Sequence, residues 1–494
     1  NEIDLGSFPT LKWLQLVIVG LAVFLSSLDV TVNVALPAIS QHFVSEPRVV
    51  YLMITFYLGT TVGLQMGVGS AGDHFGLRRV FFVGLFAYTI AMVAIGLSPT
   101  IEWVIGFRIL QAVGNAILLA ISPALANSLF PEFMRGRALG IMTAVGTAGM
   151  IVGTLSAGLM LETFSWHWIF LGRIPVCILA IAGTWIFLGE VGQKPISVCS
   201  VRVYQNQSAS DCGDTPLKTF DLIGACLIFF TVIAIVLFLN IGSSLGWIGV
   251  GQLGTLSLAS ALGFSFIRRQ SRIKFPLLDL GILANPVVIA GISSNFFLNM
   301  GTFVNIFILP YFVHEIMGVS TVTLGIFLLL SSLGISIFAP VGGYISDRFG
   351  TGPVAVAGIM IVAIGISSYT TLTSQATITE VGVRMGVVGA GMGMFQSSNL
   401  SLIMGKMRLE NLGTGGALSS ISRGMGCVSA VALMGGLFAA IYTANSAGVD
   451  MLFASSNEES SAAYVSAFKT VYSAAAVVTI LGLVTSILAW LFDR

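Results

Sequence analysis

The strongest constraint on this chain is a rhythm. Apolar runs of about 20 residues, each long enough to cross a bilayer as a helix, recur along nearly its whole length. Fourteen are predicted, over 13–37, 50–71, 80–98, 101–129, 137–161, 167–188, 222–241, 248–267, 286–313, 321–340, 354–373, 381–404, 414–443 and 465–491. In lipid every backbone N–H and C=O needs an internal partner, so such runs fold as helices. The expected fold class is an all-α polytopic membrane protein. Composition agrees: 56% of the residues are hydrophobic and 9% charged, where soluble domains carry roughly a quarter. The 57 glycines suit helices packed closely in lipid. A net charge of +1 gives no footprint for nucleic acid.

The positive-inside rule orients the spans. With the N-terminus inside, Lys12, Arg78, Arg79, Arg135, Arg137, Lys194, Arg202, Lys218, Arg268, Arg269, Arg272, Lys274, Arg348, Lys406, Arg408 and Arg494 fall on the cytoplasmic side. Arg48, Arg173, Arg384 and Lys469 fall outside or at its margin, and Arg108 and Arg423 fall within spans. Both termini are therefore expected in the cytoplasm. Cys177, Cys226 and Cys427 sit in apolar runs and read as small hydrophobes. Cys199 and Cys212 share a polar loop expected in the cytoplasm, hence free thiols. The chain begins without Met, so a short preceding piece is expected, and the first run is too long for a cleavable signal. There is no metal-ligand spacing, no catalytic constellation and no phosphate-binding Gly-Lys-Ser/Thr loop. A non-enzyme without metal or cofactor is expected, with no ATP-driven step.

The loop after the second span reads "GSAGDHFGLRR" and that after the tenth "GGYISDRFGTG". Aligning Asp73 with Asp347 also aligns Gly69 with Gly343 and Gly76 with Gly350. Both loops follow the second helix of a six-helix block. The chain thus divides into an N-terminal bundle (1–190), a middle piece holding a polar linker, two extra spans and a basic loop (191–283), and a C-terminal bundle (284–494). Such internal repeats are characteristic of secondary transporters.

These loops resemble the Gly-x-x-x-Asp-(Arg/x)-x-Gly-x-(Arg/Lys)-(Arg/Lys) motif of the major facilitator superfamily. The resemblance implies a conformational latch between the halves, carried by Gly69, Asp73, Gly76, Arg78, Arg79, Asp347 and Arg348. The second copy lacks the trailing basic pair. "LDVTVNVALPAI" at Leu28 to Ile39 looks like the first-helix motif of the fourteen-helix drug/proton antiporters in that superfamily. "RILQAVGNA" at Arg108 to Ala116 resembles their Arg-x-x-Gln-x-x-Gly motif. Gly140, Gly149, Gly153, Thr154 and Gly158 match the fifth-helix antiporter motif, with Thr154 where proline is usual and Ala157 replacing a glycine. "ETFSWHWIFLGRIP" resembles the stretch that closes this helix, with Arg173 where asparagine is commoner. The resemblance implies the major facilitator fold, two six-helix bundles plus two inserted helices, in a prokaryotic plasma membrane. Small residues on the fifth helix let backbones approach, at an expected half-to-half interface.

One carboxylate, Asp29, falls inside the first span. A charge there is costly and usually faces a cavity or a partner. Ser26, Asp29 and Asn33, spaced three and four apart, share one helix face, which is expected to look into the central cavity, with Ser26, Asn33, Gln111 and Asn115 as candidate substrate contacts. Asp29 and Arg108 each lie eight residues from a predicted outer end, about 12 Å deep. Asp29, Arg108 and Gln111 are therefore expected to form one polar cluster, extended by Asn115. Asp29 and Arg108 are the proton-coupling candidates, and Asp29 is alternatively a permanently ionised partner that orients Arg108. Asn295, Asn299, Thr302 and Asn305 line one face of the ninth span, with Gln65, Gln396 and Asn399 as further substrate contacts; ordinary interhelical hydrogen bonding is the other reading. His314 and Glu315 are expected as a solvated helix end, Asp221 as an N-cap. Arg423 stands alone in the thirteenth span, as a snorkelling or carbonyl-bonding group. No acid accompanies Gln65 in the second span or Arg423 in the thirteenth. A neutral, monocationic or amphiphilic substrate is thus favoured over a dication.

The expected function is proton-coupled export of small lipophilic or monocationic compounds by a monomer in the lipid bilayer. The alternatives are a dedicated exporter or flippase for a lipid, siderophore or metabolite, and a non-transporting sensor or scaffold. Loss of the latch motifs or of Asp29 would favour the last, and both are present.

Overall fold

The computed structural model describes residues 10–29, 32, 35, 39, 42–43, 47–188, 220–245, 249–273, 276–318, 321–373, 375–408, 411–445 and 458–494. Among these there are helices and no strand. The long helices are α1 (Thr10–Ser27), α2 (Pro47–Phe75), α3 (Leu77–Gly96), α4 (Ile101–Leu129), α5 (Arg135–Thr163) and α6 (Ile174–Phe187, entered through the short helix Trp168–Leu171). Two more, α7 (Leu222–Leu245) and α8 (Val250–Gln270), precede α9 (Pro286–Thr302), α10 (Thr321–Phe349), α11 (Thr351–Ser368), α12 (Ile378–Gly405), α13 (Leu412–Ser429) and α14 (Glu458–Asp493). Eleven stretches of the described residues are long and apolar enough to cross a membrane, against fourteen expected. The polar linker with Cys199 and Cys212 lies outside the described residues.

Local chemistry sets several boundaries. Asn285 accepts from the Val287 amide at 3.0 Å with Pro286 next to it, a pairing suited to starting α9. Thr377 accepts from the Glu380 amide and opens α12. Gly76 and Gly350 have φ of 96° and 90°, a region closed to residues with a Cβ. They make equivalent turns, from α2 into α3 and from α10 into α11. As expected, Asp221 caps α7, accepting from the Gly224 amide at 2.9 Å. It also takes Arg269 and Gln270 at the end of α8, each at 2.9 Å, and so ties the inserted hairpin together.

Three expected helices are interrupted. The first span is not continuous: α1 stops at Ser27 and the chain turns at Leu28 and Asp29. Asp29 therefore lies beyond the end of the helix that carries Ser26, and Asn33 lies outside the described residues. The ninth breaks after Thr302 into short turns around Pro310 and a π-helical turn, Phe312–Ile316. The thirteenth passes through a π-helical turn, Ala430–Met434, before Gly435–Asn445.

One apolar core joins α1, α3, α4, α5 and α6 around Leu25, Phe81, Leu118, Ile121 and Phe170. A second joins α9, α11, α12, α14 and the segment after α13 around Leu298, Ile359, Phe395, Phe438, Phe468 and Tyr472. The halves meet along two equivalent seams, α5 against α10 and α2 against α13. Helix α7 lies over the second seam. Its Ala225, Phe229 and Ile233 sit against Gly67, Gly63 and Gly59 of α2. Its Val232 and Val236 pack in one cluster with Val62 of α2 and Ile421, Met425 and Val428 of α13. Helix α8 packs on α7.

Candidate functional site

The turn that ends α1 delivers Asp29 to the interior of the N-terminal bundle. Its carboxylate accepts from the hydroxyl of Tyr57 on α2 and from the Arg173 guanidinium at the entry to α6. Its Oδ1 also accepts from Gln111 Nε2 at 2.8 Å and lies 3.0 Å from the Tyr88 hydroxyl. Asn115 donates to the Tyr57 oxygen at 2.7 Å and accepts from Ser26. One connected polar network thus joins α1, α2, α3, α4 and α6. The paired side chains of Arg173 and Asp29 are 5% and 9% exposed. Such a pair holds together in low dielectric because further hydrogen bonds satisfy it; here Arg173 Nη2 also donates to the Leu28 carbonyl at 2.8 Å.

The expected Asp29–Arg108–Gln111 cluster needs correction in one respect. The ion partner of Asp29 is Arg173, placed by the sequence at the outer margin. Arg108 reaches the carboxylate through Gln111, donating to Gln111 Oε1 at 2.6 Å. Its guanidinium lies over the Tyr57 ring, 4.4 Å from the centroid. Tyr57 and Tyr88, which join this network, were not among the expected site residues. The available signal was a tyrosine amid an apolar span, whose hydroxyl needs a partner when buried. For Arg173 it was a single charge between the apolar stretches "WHWIFL" and "IPVCILAIAG".

The stripe on α9 is occupied by the protein itself. Asn295 donates to the Ser419 carbonyl of α13 at 2.9 Å, and Asn299 to Asn295 Oδ1 at 3.0 Å. Thr302 bonds the Leu298 carbonyl of its own helix, and Asn305, beyond the break, accepts from Tyr472 of α14 at 2.7 Å. Asn399 donates to the Gly291 carbonyl at 3.1 Å, Gln65 is buried on α2, and Gln396 is half-buried on α12. The side chains of His314 and Glu315 lie outside the described residues.

At the other functional locus each half holds the other by a carboxylate on a helix N-terminus. Asp73 accepts from the amides of Gly413 and Thr414 at 2.6 and 2.8 Å and from the Thr414 hydroxyl at 2.8 Å, where α13 begins. Asp347 accepts from the amides of Gly136 and Arg137 at 3.0 and 3.1 Å, where α5 begins. Unsatisfied amides and the helix dipole both favour an anion there. The approach is too close for side chains: a Cβ on Gly69 or on Gly343 would come under 3.0 Å from the carbonyl of Gly413 or of Gly136. The motif's basic residues do other work. Arg78 donates to the Trp185 carbonyl at 3.0 Å within its own half, Arg79 is exposed, and Arg348 stacks over Tyr344.

The fifth-helix glycines divide between two interfaces. Gly140 abuts the Ala339 carbonyl of α10 in the other half, whereas Gly149 abuts the Phe24 carbonyl of α1 in its own. Gly153 is buried; Thr154 and Gly158 lie further along α5 with surroundings outside the described residues. We expect Gly140→Leu to block closure of the α5–α10 seam and Gly149→Leu to lower thermal stability by several degrees with less effect on closure. Cross-linking across the seam and a melting curve distinguish the two.

Twelve helices in two equivalent sets, cross-latched at one end, define a transporter fold. The sequence profile of the Major Facilitator Superfamily matches residues 19–426, and the chain belongs to this family. It is 26% identical over 96% of its length to the riboflavin transporter RibZ of Clostridioides difficile (strain 630), covering 97% of that protein. It is also 26% identical to the multidrug resistance protein Stp of Mycobacterium tuberculosis (strain CDC 1551 / Oshkosh), over 86% of this chain and 76% of that one. Among solved structures, the human organic anion transporter MFSD10 superposes with a TM-score of 0.62 over 97% of this chain and all of that one, at 9% identity, a likeness of fold.

Proposed function

We propose that the protein is a proton-coupled exporter of small lipophilic compounds, working by alternating access in a bacterial plasma membrane with both termini cytoplasmic. The observation that carries this is the buried Asp29–Arg173 pair with its hydrogen-bonded shell. A proton arriving at Asp29 removes the negative partner and leaves Arg173 a buried, uncompensated cation. Breaking such a pair from one side costs roughly 3–5 kcal/mol. A conformational change that readmits water to Arg173 relieves that cost, so protonation and rocking are linked. The latch contacts support the rocking: Asp73 and Asp347 bond backbone of the opposite half, and such contacts can be exchanged as a unit. The names of the relatives, a multidrug resistance protein among them, support an organic solute.

The full-length alignment with a riboflavin transporter favours a second reading, a dedicated metabolite transporter. Purified protein in liposomes with an imposed pH gradient separates the two. Neutral, cationic and lipid-like compounds are scanned for gradient-driven flux. Flux of several unrelated compounds is expected; flux of one alone moves the function to the second reading, and flux indifferent to the gradient removes proton coupling.

A further inference from the structure

The guanidinium groups held between these helices outnumber the carboxylate that neutralises them. Asp29 is spent on Arg173. Arg108 is 2% exposed, yet it gives Nη1 to a neutral amide, and its Nε has no hydrogen-bond partner. Arg423, half-buried on α13, is the third. It stands eleven residues beyond Leu412, about 16 Å up α13. Among the described residues it makes no hydrogen bond and no ion pair.

The neighbours of Arg423 along α13 fix its direction. Seven residues before it, Gly416 sits against the Ala120 carbonyl of α4, and three before it Ser420 donates to the Leu119 carbonyl at 3.1 Å. Four before it, the Ser419 carbonyl takes Asn295 of α9, and three after it Gly426 sits against the Phe296 carbonyl of α9. Residues three and four apart share a helix face. Arg423 therefore stands between the α4 contact and the α9 contact, where the two halves meet. The helices run antiparallel, so carrying the Gly416–Ala120 level two turns up α13 reaches Val113 on α4. That is the level between Gln111 and Asn115, the two α4 residues of the Asp29 network.

An ionised group at this depth is costly without a counter-charge. Among the described residues, the three guanidinium groups of Arg108, Arg173 and Arg423 face the one carboxylate of Asp29, and the unpaired group faces the seam. We propose that the substrate supplies the missing charge: the seam takes an amphiphilic monoanion whose carboxylate or sulfonate pairs with Arg423. The planar guanidinium fork matches such an oxyanion in a bidentate way that an ammonium does not. The apolar body of the molecule rests among the surrounding helices. This inference rests on the transport function proposed above and narrows its substrate, replacing the monocation expected from sequence. That expectation came from missing acids alone and left the arginines out of the balance.

The test uses three ligands with one apolar body: 4-(1-pyrene)butyrate, its methyl ester, and the pyrenebutyl trimethylammonium analogue. Binding to the purified full-length protein is measured by equilibrium dialysis in detergent, without a pH gradient. The butyrate is expected to bind at least tenfold more tightly than the ester, and the cation more weakly than either. Arg423→Gln removes the tenfold preference while ester binding stays unchanged, which also reports an intact fold; Arg423→Lys keeps part of it. Equal binding of butyrate and ester by the native protein overturns the inference, as does an anion preference that survives Arg423→Gln. The gradient assay is scored separately. Anion binding without gradient-driven flux leaves this inference standing and removes proton coupling. Gradient-driven flux of the ester or the cation with no anion preference does the reverse.

Discussion

Asp29→Asn is expected to abolish accumulation of substrate against its gradient in proteoliposomes, leaving at most downhill exchange. The substitution is nearly isosteric, and its amide oxygen still accepts from Tyr57, Tyr88 or Gln111, the neutral donors now around the carboxylate. What vanishes is the charge opposite Arg173 and the titratable site. Loss of one partner from a buried pair also destabilises, by roughly 3–5 kcal/mol, so the single variant confounds folding with coupling. The double variant Asp29→Asn with Arg173→Gln removes both charges of the pair and is expected to recover part of the thermal stability, because Arg173 is then no longer left alone, while the buried Arg108 remains. Its coupling stays lost. The pair of variants forms a double-mutant cycle, read by melting temperature on one axis and by gradient-driven uptake on the other. Undiminished, pH-dependent accumulation by Asp29→Asn would assign the carboxylate a purely structural role.

The second large effect belongs to the cross-latch. Replacing Asp73 by Ala removes three donors' worth of acceptor, and replacing Asp347 by Ala removes two. Hydrogen bonds to a charged group contribute about 1.5–3 kcal/mol each, less where water competes. A net loss of roughly 3 kcal/mol shifts the ratio of closed to open molecules by more than a hundredfold. Asp73→Ala is expected to open the latch end more than Asp347→Ala, since its contacts are more numerous and shorter, and the double variant to open it most. Spin labels placed at the starts of α5 and α13, outside the contact residues, read the distance between the halves at that end. Distance distributions identical to the native protein in both single variants would mean that the glycine-lined backbone contact holds the end shut by itself.

Much of this was legible in the residues. Hydropathy found the helices because lipid leaves no alternative to internal hydrogen bonding. The doubled loop around Asp73 and Asp347 marked two equivalent turns because glycine at a positive φ has no substitute. Depth put Asp29 level with Arg108, and Gln111, on the Arg108 face of its helix, is the side chain that reaches the carboxylate. The rest depended on how helices are rotated against each other, which hydropathy does not record. Arg173 looked like a surface charge because a helix of four residues, Trp168–Leu171, intervenes before α6 and carries it inward. Tyr57 and Tyr88 were hidden by their aromatic rings, which count as apolar while their hydroxyls do the bonding. The break after Thr302 falls in "FVNIFILPYF", as apolar as the helices around it, whereas the one near Asp29 falls in the more polar "SSLDVTVN", which still reads as one span with its flanks. The polar stripe on α9 was visible, but its present partners lie on α13, α14 and α9 itself.

The placement of α7 makes the two otherwise matching seams mechanically unequal. Pulling α2 away from α13 means dragging α7 off the glycines of one half or off Ile421, Met425 and Val428 of the other. Among the described residues, neither inserted helix packs extensively on α5 or α10. The door therefore has a strap across one jamb and none across the other. The unstrapped flank carries Leu333, Ile337, Phe338 and Val341 of α10 at its outer surface, so an oily solute arriving from within the lipid meets greasy side chains on the side that is free to swing.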